Sequence, residues 1–218
     1  MCARRLNLND ADYASGRIGS EMFGANTIFT RDHLASGGAY DDFVNSMGTN
    51  SFRFPGGTVT EELFDPDNQM SQRFWGTGSG AGRFGEEDIV TAREFISYAN
   101  AHNASVDWVL PTEGFYSDER DADGHREPSE YAVYTLLDKV DGLIRGEYGQ
   151  GIVDTITIGN EYWYRDSRES PEEYGKMANM LAKGLQQVFD AYRAELANPN
   201  SWTEPQIAIQ TSLGNERE

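Results

Sequence analysis

Glu161 is the residue whose position most plainly offers chemistry. The β-branched run from Val153 to Ile158 reads as a strand buried on both faces, and it ends in Gly159-Asn160-Glu161 with Tyr162 and Trp163 directly behind. In parallel α/β folds the carboxyl ends of strands carry reactive groups, because the strand fixes the backbone while the loop beyond leaves the side chain open to a ligand. A carboxyl in that position can give and take a proton, so Glu161 is the candidate acid/base. Glu113 ends the third predicted strand and is either a substrate contact or a solvated loop acid.

Three further patterns carry less. Glu119-x-Asp121-x-Asp123-Gly124, then five residues and Glu130, matches the oxygen spacing of an EF-hand calcium loop except for Glu at its first position. Pro128 falls inside that loop, and a strand end leads in where an EF-hand needs a helix. No cofactor is therefore expected, with calcium at Glu119, Asp121, Asp123 and Glu130 the one metal candidate. Gly80-Ala81-Gly82-Arg83-Phe84-Gly85 spells GxGxxG, but polar loop precedes it where a dinucleotide fingerprint needs a strand. Gly214-Asn215-Glu216 repeats the rim triplet near the chain end and reads as chance. His33, His102 and His125 show no HxxxH spacing.

Composition removes whole classes of partner. Asp and Glu number 36 against 18 Lys and Arg, a formal charge of -18 spread along 218 residues. A field of that sign repels nucleic acid and anionic membranes. Hydrophobic residues at 38% and aromatics at 12% are enough to fill the core of one large domain. Cys2 is the only cysteine, which rules out an internal disulfide and a cysteine-based zinc site. Met1-Cys2-Ala3-Arg4-Arg5 leads into polar residues instead of an apolar signal core, and no run is apolar enough to span a bilayer.

The elements that must position Glu161 follow from periodicity. Strands are predicted over Met22–Phe29, with Asn26 near its end, over Asn50–Phe54 ahead of Pro55-Gly56-Gly57, and over Val106–Thr112, Val153–Ile158 and Gln206–Thr211. The first helix should bury Tyr40, Phe43, Val44 and Met47 and stop at Gly48. The second should run from about Glu86 to His102, and the third should bury Val133, Leu136, Leu137, Val140, Leu143 and Ile144 after an acidic loop from Asp118 to Glu127. The fourth starts at a capping box, Ser170-Pro171-Glu172-Glu173. Between them, Asp65 to Gly85 is a long polar connection holding Phe74 and Trp75. Five strands with four crossover helices suit either a doubly wound sheet or part of a (β/α)8 barrel, and the pattern alone does not choose.

Phe52-Arg53-Phe54-Pro55-Gly56-Gly57-Thr58, then Phe64-Asp65-Pro66, then Gly159-Asn160-Glu161 together resemble the retaining glycoside hydrolases of clan A. The second-strand segment is most similar to the heparanase and β-glucuronidase family, and its Arg-Phe-Pro-Gly-Gly portion also to α-L-arabinofuranosidases. The resemblance covers residues from about 20 to 213. It implies a (β/α)8 barrel with the acid/base after strand four, here Glu161, and a nucleophile after strand seven. It also implies that Asn160 hydrogen-bonds a sugar hydroxyl and that Arg53 lies under the site. Asn26, near the end of the first strand, is a further candidate contact, and Tyr162, Trp163 and Trp75 either offer stacking faces for a sugar ring or simply cover the core.

Strands six to eight and the nucleophile are not found in this sequence. The expectation is a single, incomplete catalytic-type domain over 1–218, a partial barrel of about five parallel strands and four helices. Its partner would be a uronic-acid or arabinofuranosyl polysaccharide, with an extracellular setting implied by the resemblance. The chain alone is expected to be inactive and to self-associate through the open barrel edge. The alternative is a non-catalytic carbohydrate-binding or structural half-barrel. A doubly wound hydrolase lacks a GxSxG elbow or Walker loop.

Overall fold

The structure, a computed structural model, describes residues 24–63, 69–76, 83–84, 87–162 and 169–211. In chain order it runs β1 (Gly24–Asn26), α1 (Ala39–Met47), β2 (Ser51–Phe54), α2 (Val59–Leu63), α3 (Gln69–Phe74), β3 (Arg83–Phe84), β4 (Glu87–Asp88), α4 (Ala92–Ala101) and β5 (Ser105–Leu110). It continues through β6 (Tyr116–Arg120), β7 (Arg126–Pro128), α5 (Glu130–Ile144), β8 (Ile152–Ile158), α6 (Pro171–Glu195) and β9 (Gln206–Ile209).

One sheet of five parallel strands has the order β1-β2-β5-β8-β9. Each crossover moves one place in the same direction. A doubly wound sheet reverses at a switch point, and this one does not. The arrangement is therefore α/β with a sequentially wound sheet, compatible with part of an α/β barrel.

Period-two alternation sorts the strand side chains onto two faces. Phe52, Phe54, Val106, Trp108, Ile156 and Ile158 form one cluster with Val44 of α1, Phe95 of α4, Leu136 of α5 and Leu181 of α6. Phe54 stacks on Phe95 with ring centroids 3.8 Å apart, and Trp108 meets Phe54 edge-on at 5.4 Å. The opposite face carries Asn26, Arg53, Asp107 and Thr157 near its carboxyl end. There the Thr157 hydroxyl donates to Asp107 Oδ1 at 2.7 Å.

The helices start where their caps dictate. Thr91 and Ser170 each close a reciprocal box with Glu94 and Glu173. The second predicted helix is therefore shorter than its apolar spacing suggested: Ile89 is buried, but the helix begins at Ala92. In α1 the predicted stripe is rotated. Val44 is buried while Phe43 and Met47 are each 51% exposed, because Asp41 turns inward to accept hydrogen bonds from Gly37 N–H and the Tyr98 hydroxyl beside His102. The stretch expected as an acidic loop is an antiparallel hairpin, β6 with β7. The long connection holds α3 and β3, α2 precedes it, and β4 falls where the second helix was expected to begin, all too short for a periodic signal. Among the described residues no helix is long and apolar enough to cross a membrane.

Candidate functional site

Arg53 is the hub of the carboxyl-terminal rim. From β2 its Nη1 donates to Asn26 Oδ1 at 3.2 Å, its Nη2 donates to Asn160 Oδ1 at 3.0 Å, and its Nε lies 3.9 Å from Asp107 Oδ2. One guanidinium thus links residues of β1 and β5 with the residue pair that follows β8, a span suited to a planar fork of five donors. Burial lowers the Arg53 pKa, while the charges of Asp107, Glu161 and Glu61 oppose that shift. Because Asn160 Oδ1 accepts from Arg53, its amide nitrogen is left as a donor with no hydrogen-bond partner among the described residues. Asn26 is held closely as well, since a Cβ at Gly56 would lie 2.4 Å from its Oδ1.

Glu161 follows β8 on this rim, its side chain exposed and its φ at +51°. Left-handed backbone at a non-glycine residue carries strain and clusters at functional sites. Gly159 before it has φ +80°, and a Cβ there would lie 3.0 Å from the Tyr174 ring. The Gln210 side chain clamps the turn, accepting from Glu161 N–H and donating to Gly159 C=O, both at 2.6 Å. The Tyr174 hydroxyl of α6 accepts from Gln210 N–H and donates to Ile158 C=O, both at 2.8 Å.

Glu61, which no sequence pattern singles out, ties two strand ends from behind. Its Oε2 accepts from the N–H groups of Thr112 at 2.6 Å and Glu113 at 2.9 Å, and its Oε1 from Asn160 N–H at 2.6 Å. The Thr112 hydroxyl reaches Glu61 Oε2 at 3.4 Å and Glu169 Oε2 at 3.1 Å. Burial pushes the Glu61 carboxyl up to about 7 against its three N–H donors. Burial and the Glu61 charge push Glu169 up to about 8. Sequence reasoning missed Glu61, Thr112, Glu169 and Gln210. Of these, Thr112 and Gln210 had a signal, their places at the ends of the third and fifth predicted strands.

The aromatic candidates are already engaged by protein. Tyr162 is buried and stacks on Tyr174, centroids 4.0 Å apart and planes within 3°. Trp75 is buried against Trp108 at 5.6 Å and Tyr148 at 5.2 Å, inside the helix-side core. Both cover the core instead of lining the rim. Glu113 is half-buried beside the rim and supplies its backbone N–H to Glu61. Trp163, the GxGxxG glycines and Gly214-Asn215-Glu216 lie outside the described residues.

The calcium candidate does not form an EF-hand. Glu119 lies on β6, Glu130 starts α5, and Asp121 and Asp123 sit in the hairpin turn between β6 and β7. Asp121 Oδ1 accepts from Asp123 and His125 N–H, and its Oδ2 pairs with Lys176 Nζ at 2.6 Å. The lysine occupies the charge a cation would use. Among the described residues no group of three or more His, Cys, Asp or Glu side chains is arranged to hold a metal ion.

Comparison of the chain with models of protein families, with curated proteins and with solved structures gives no match in any of the three.

Proposed function

We propose that this chain forms the acid/base half of a retaining glycoside hydrolase acting on a uronic-acid or arabinofuranosyl polysaccharide, its strands being the first five of a (β/α)8 barrel. The observation that carries the reading is the Arg53–Asn160 hydrogen bond at 3.0 Å, which brings the second-strand motif and the Asn-Glu motif to one rim beside an exposed Glu161. Had Glu161 stood on an outer helix or the opposite rim from Arg53, the reading would have failed. Glu161 then protonates the leaving oxygen and later activates water, and Asn160 bonds a sugar hydroxyl.

Retaining hydrolysis needs two carboxyl groups about 5 to 5.5 Å apart. The resemblance puts the nucleophile after a seventh strand, so the five-stranded sheet is proposed to bind sugar without cleaving it. Ligand-observed NMR with uronic-acid and arabinofuranosyl oligosaccharides tests this. One class should bind, Asn160→Ala should weaken binding at least about tenfold, a difference of roughly 1.4 kcal/mol, and no reducing ends should appear. Absence of binding by either class, or binding indifferent to Asn160→Ala, overturns it. In a protein that supplies the nucleophile, Glu161→Gln should lower the rate by about 10² to 10⁴.

A second reading is a non-catalytic carbohydrate-binding or structural half-barrel, in which Tyr162 and Trp75 serve the core, where both are buried. The two separate on whether the parent reading frame runs through three more βα units with a Glu after the seventh strand.

A further inference from the structure

Behind the exposed rim lies a second pair of carboxyl groups that the proposed reaction does not use. Glu61 comes from α2, and Glu169 from the segment just ahead of α6. Both are more than nine-tenths buried. Between them stands the hydroxyl of Thr112, 3.4 Å from Glu61 Oε2 and 3.1 Å from Glu169 Oε2.

Counting hydrogens decides how this cluster is charged. A threonine hydroxyl has one hydrogen, so it can donate to one carboxylate and not to both. Both contacts are hydrogen bonds only if one carboxyl brings a hydrogen of its own. Glu61 is poorly suited to do so, because each of its oxygens already faces backbone N–H donors, from Thr112 and Glu113 on one and Asn160 on the other. The arrangement that satisfies both contacts at once has a protonated Glu169 donating to Thr112 Oγ1 while Thr112 donates to Glu61 Oε2.

The charged and titratable neighbours leave this assignment in place. Arg53 on β2 acts on Glu61 from a distance but spends its hydrogen bonds on Asn26 and Asn160. Arg126 on β7 is paired with Glu173 of α6 at 2.7 Å. Glu113, Tyr116 of β6 and Tyr174 of α6 also face the pair: Glu113 adds negative charge, which favours a retained proton, and the Tyr116 hydroxyl favours ionised Glu169 but is outweighed by burial and the Glu61 charge. Among the described residues neither Glu61 nor Glu169 has a salt-bridge cation.

We propose that Glu61 is the positioning residue of the Asn160–Glu161 turn, and that it works as one half of a Glu61–Glu169 pair holding a single proton relayed through the Thr112 hydroxyl. The role assigned to the turn rests on the glycosidase reading; the proton does not. When the pair loses that proton, two negative charges face one hydroxyl, Glu61 shifts, and the Asn160 N–H loses its anchor. Burial, which raises both carboxyl groups, places the loss at neutral to alkaline pH.

The experiment follows the backbone amides of Thr112, Glu113 and Asn160 by proton–nitrogen NMR from pH 5 to pH 9, alongside oligosaccharide binding. In the unaltered chain the three amides should move together in one step, and binding should fall at least about tenfold across it. Glu169→Gln keeps a neutral donor toward Thr112, so the fold and the binding should persist and the step should vanish. Glu61→Gln should lose the turn, and with it binding, at every pH. The proposal is overturned if the amides do not titrate, or if Glu169→Gln leaves the step in place. If no oligosaccharide binds, the glycosidase reading fails, while the amide titration still decides the proton.

Discussion

Arg53 reaches past strand β5 to donate from Nη2 to Asn160 Oδ1 at 3.0 Å, while its Nη1 holds Asn26 Oδ1 at 3.2 Å on the other side. A lysine could satisfy one of these amides at a time, having a point charge in place of a fork. Arg53→Lys should destabilise the fold by about 1 to 3 kcal/mol, read from urea unfolding, by leaving a hydrogen-bonding group of the rim unmatched. Its effect on sugar binding should match that of Asn160→Ala. A neutral result would mean that the guanidinium is incidental to the rim.

Gly56 owes its identity to Asn26. Its φ is not in the left-handed region, so an alanine is strained only by the 2.4 Å approach of its Cβ to Asn26 Oδ1. Gly56→Ala should push Asn26 off Arg53, at a cost of about 1 kcal/mol, the net worth of one hydrogen bond. The same substitution made in an Asn26→Ala background should add little, because the clash and the hydrogen bond are then both gone. Gly114→Ala, where a Cβ meets nothing within 4 Å, is the matched control.

The Tyr174 hydroxyl joins strand β8 to the end of β9 through Ile158 C=O and Gln210 N–H. Tyr174→Phe keeps the stack on Tyr162 but orphans both backbone groups in a buried setting. The expected cost is about 1 to 3 kcal/mol. Gln210→Ala removes the clamp on Gly159 and Glu161 instead, and a double-mutant cycle should show coupling of about 0.5 kcal/mol or more, since the two act on one turn. Additive losses would mean that the turn is held independently by each.

The frame of this fold was legible because periodicity is a long-range signal. The stripe Tyr174, Met177, Leu181 and Leu185 told which face of α6 packs inward. The fourth predicted strand, expected to be buried on both faces, instead alternates, with Ile156 and Ile158 buried and Asp154 exposed. Strand-end position brought out Asn26 and Glu161, and the family resemblance brought out Arg53 and Asn160. What supports those residues was not legible. Glu61 sits in a five-residue helix, too short to show a period, and its partners Thr112 and Asn160 lie 51 and 99 residues away. Glu169 stands beside a capping box that drew the eye to Ser170 and Glu173. Asp41 misled in the other direction: a buried acid rotated α1 so that Phe43 and Met47 face outward. Polar groups that satisfy one another across the fold leave no local pattern in the chain.

Opposed shifts among the carboxyl groups set the pH dependence of stability. Burial raises Glu61 and Glu169, to about 7 and about 8, so the folded pair keeps its shared proton at a pH where the unfolded chain has lost it. Their contribution is whole below the ordinary carboxylate range and is lost as pH rises through 7 to 8. Asp121 and Glu173 are depressed to about 2, by Lys176 and Arg126 respectively, so their contribution is whole above the ordinary range and is lost as pH falls toward 2. The two trends leave maximal stability at about pH 4 to 5, lower than the usual range of about 5 to 8. Thermal unfolding from pH 2 to pH 9 should show Tm falling on both sides of that window. Glu169→Gln should flatten the alkaline limb and leave the acid limb, and Lys176→Met should weaken the acid limb alone. A Tm that climbs steadily from pH 5 to pH 8 in the unaltered chain would show that Glu61 and Glu169 ionise in the folded protein as freely as they do in water.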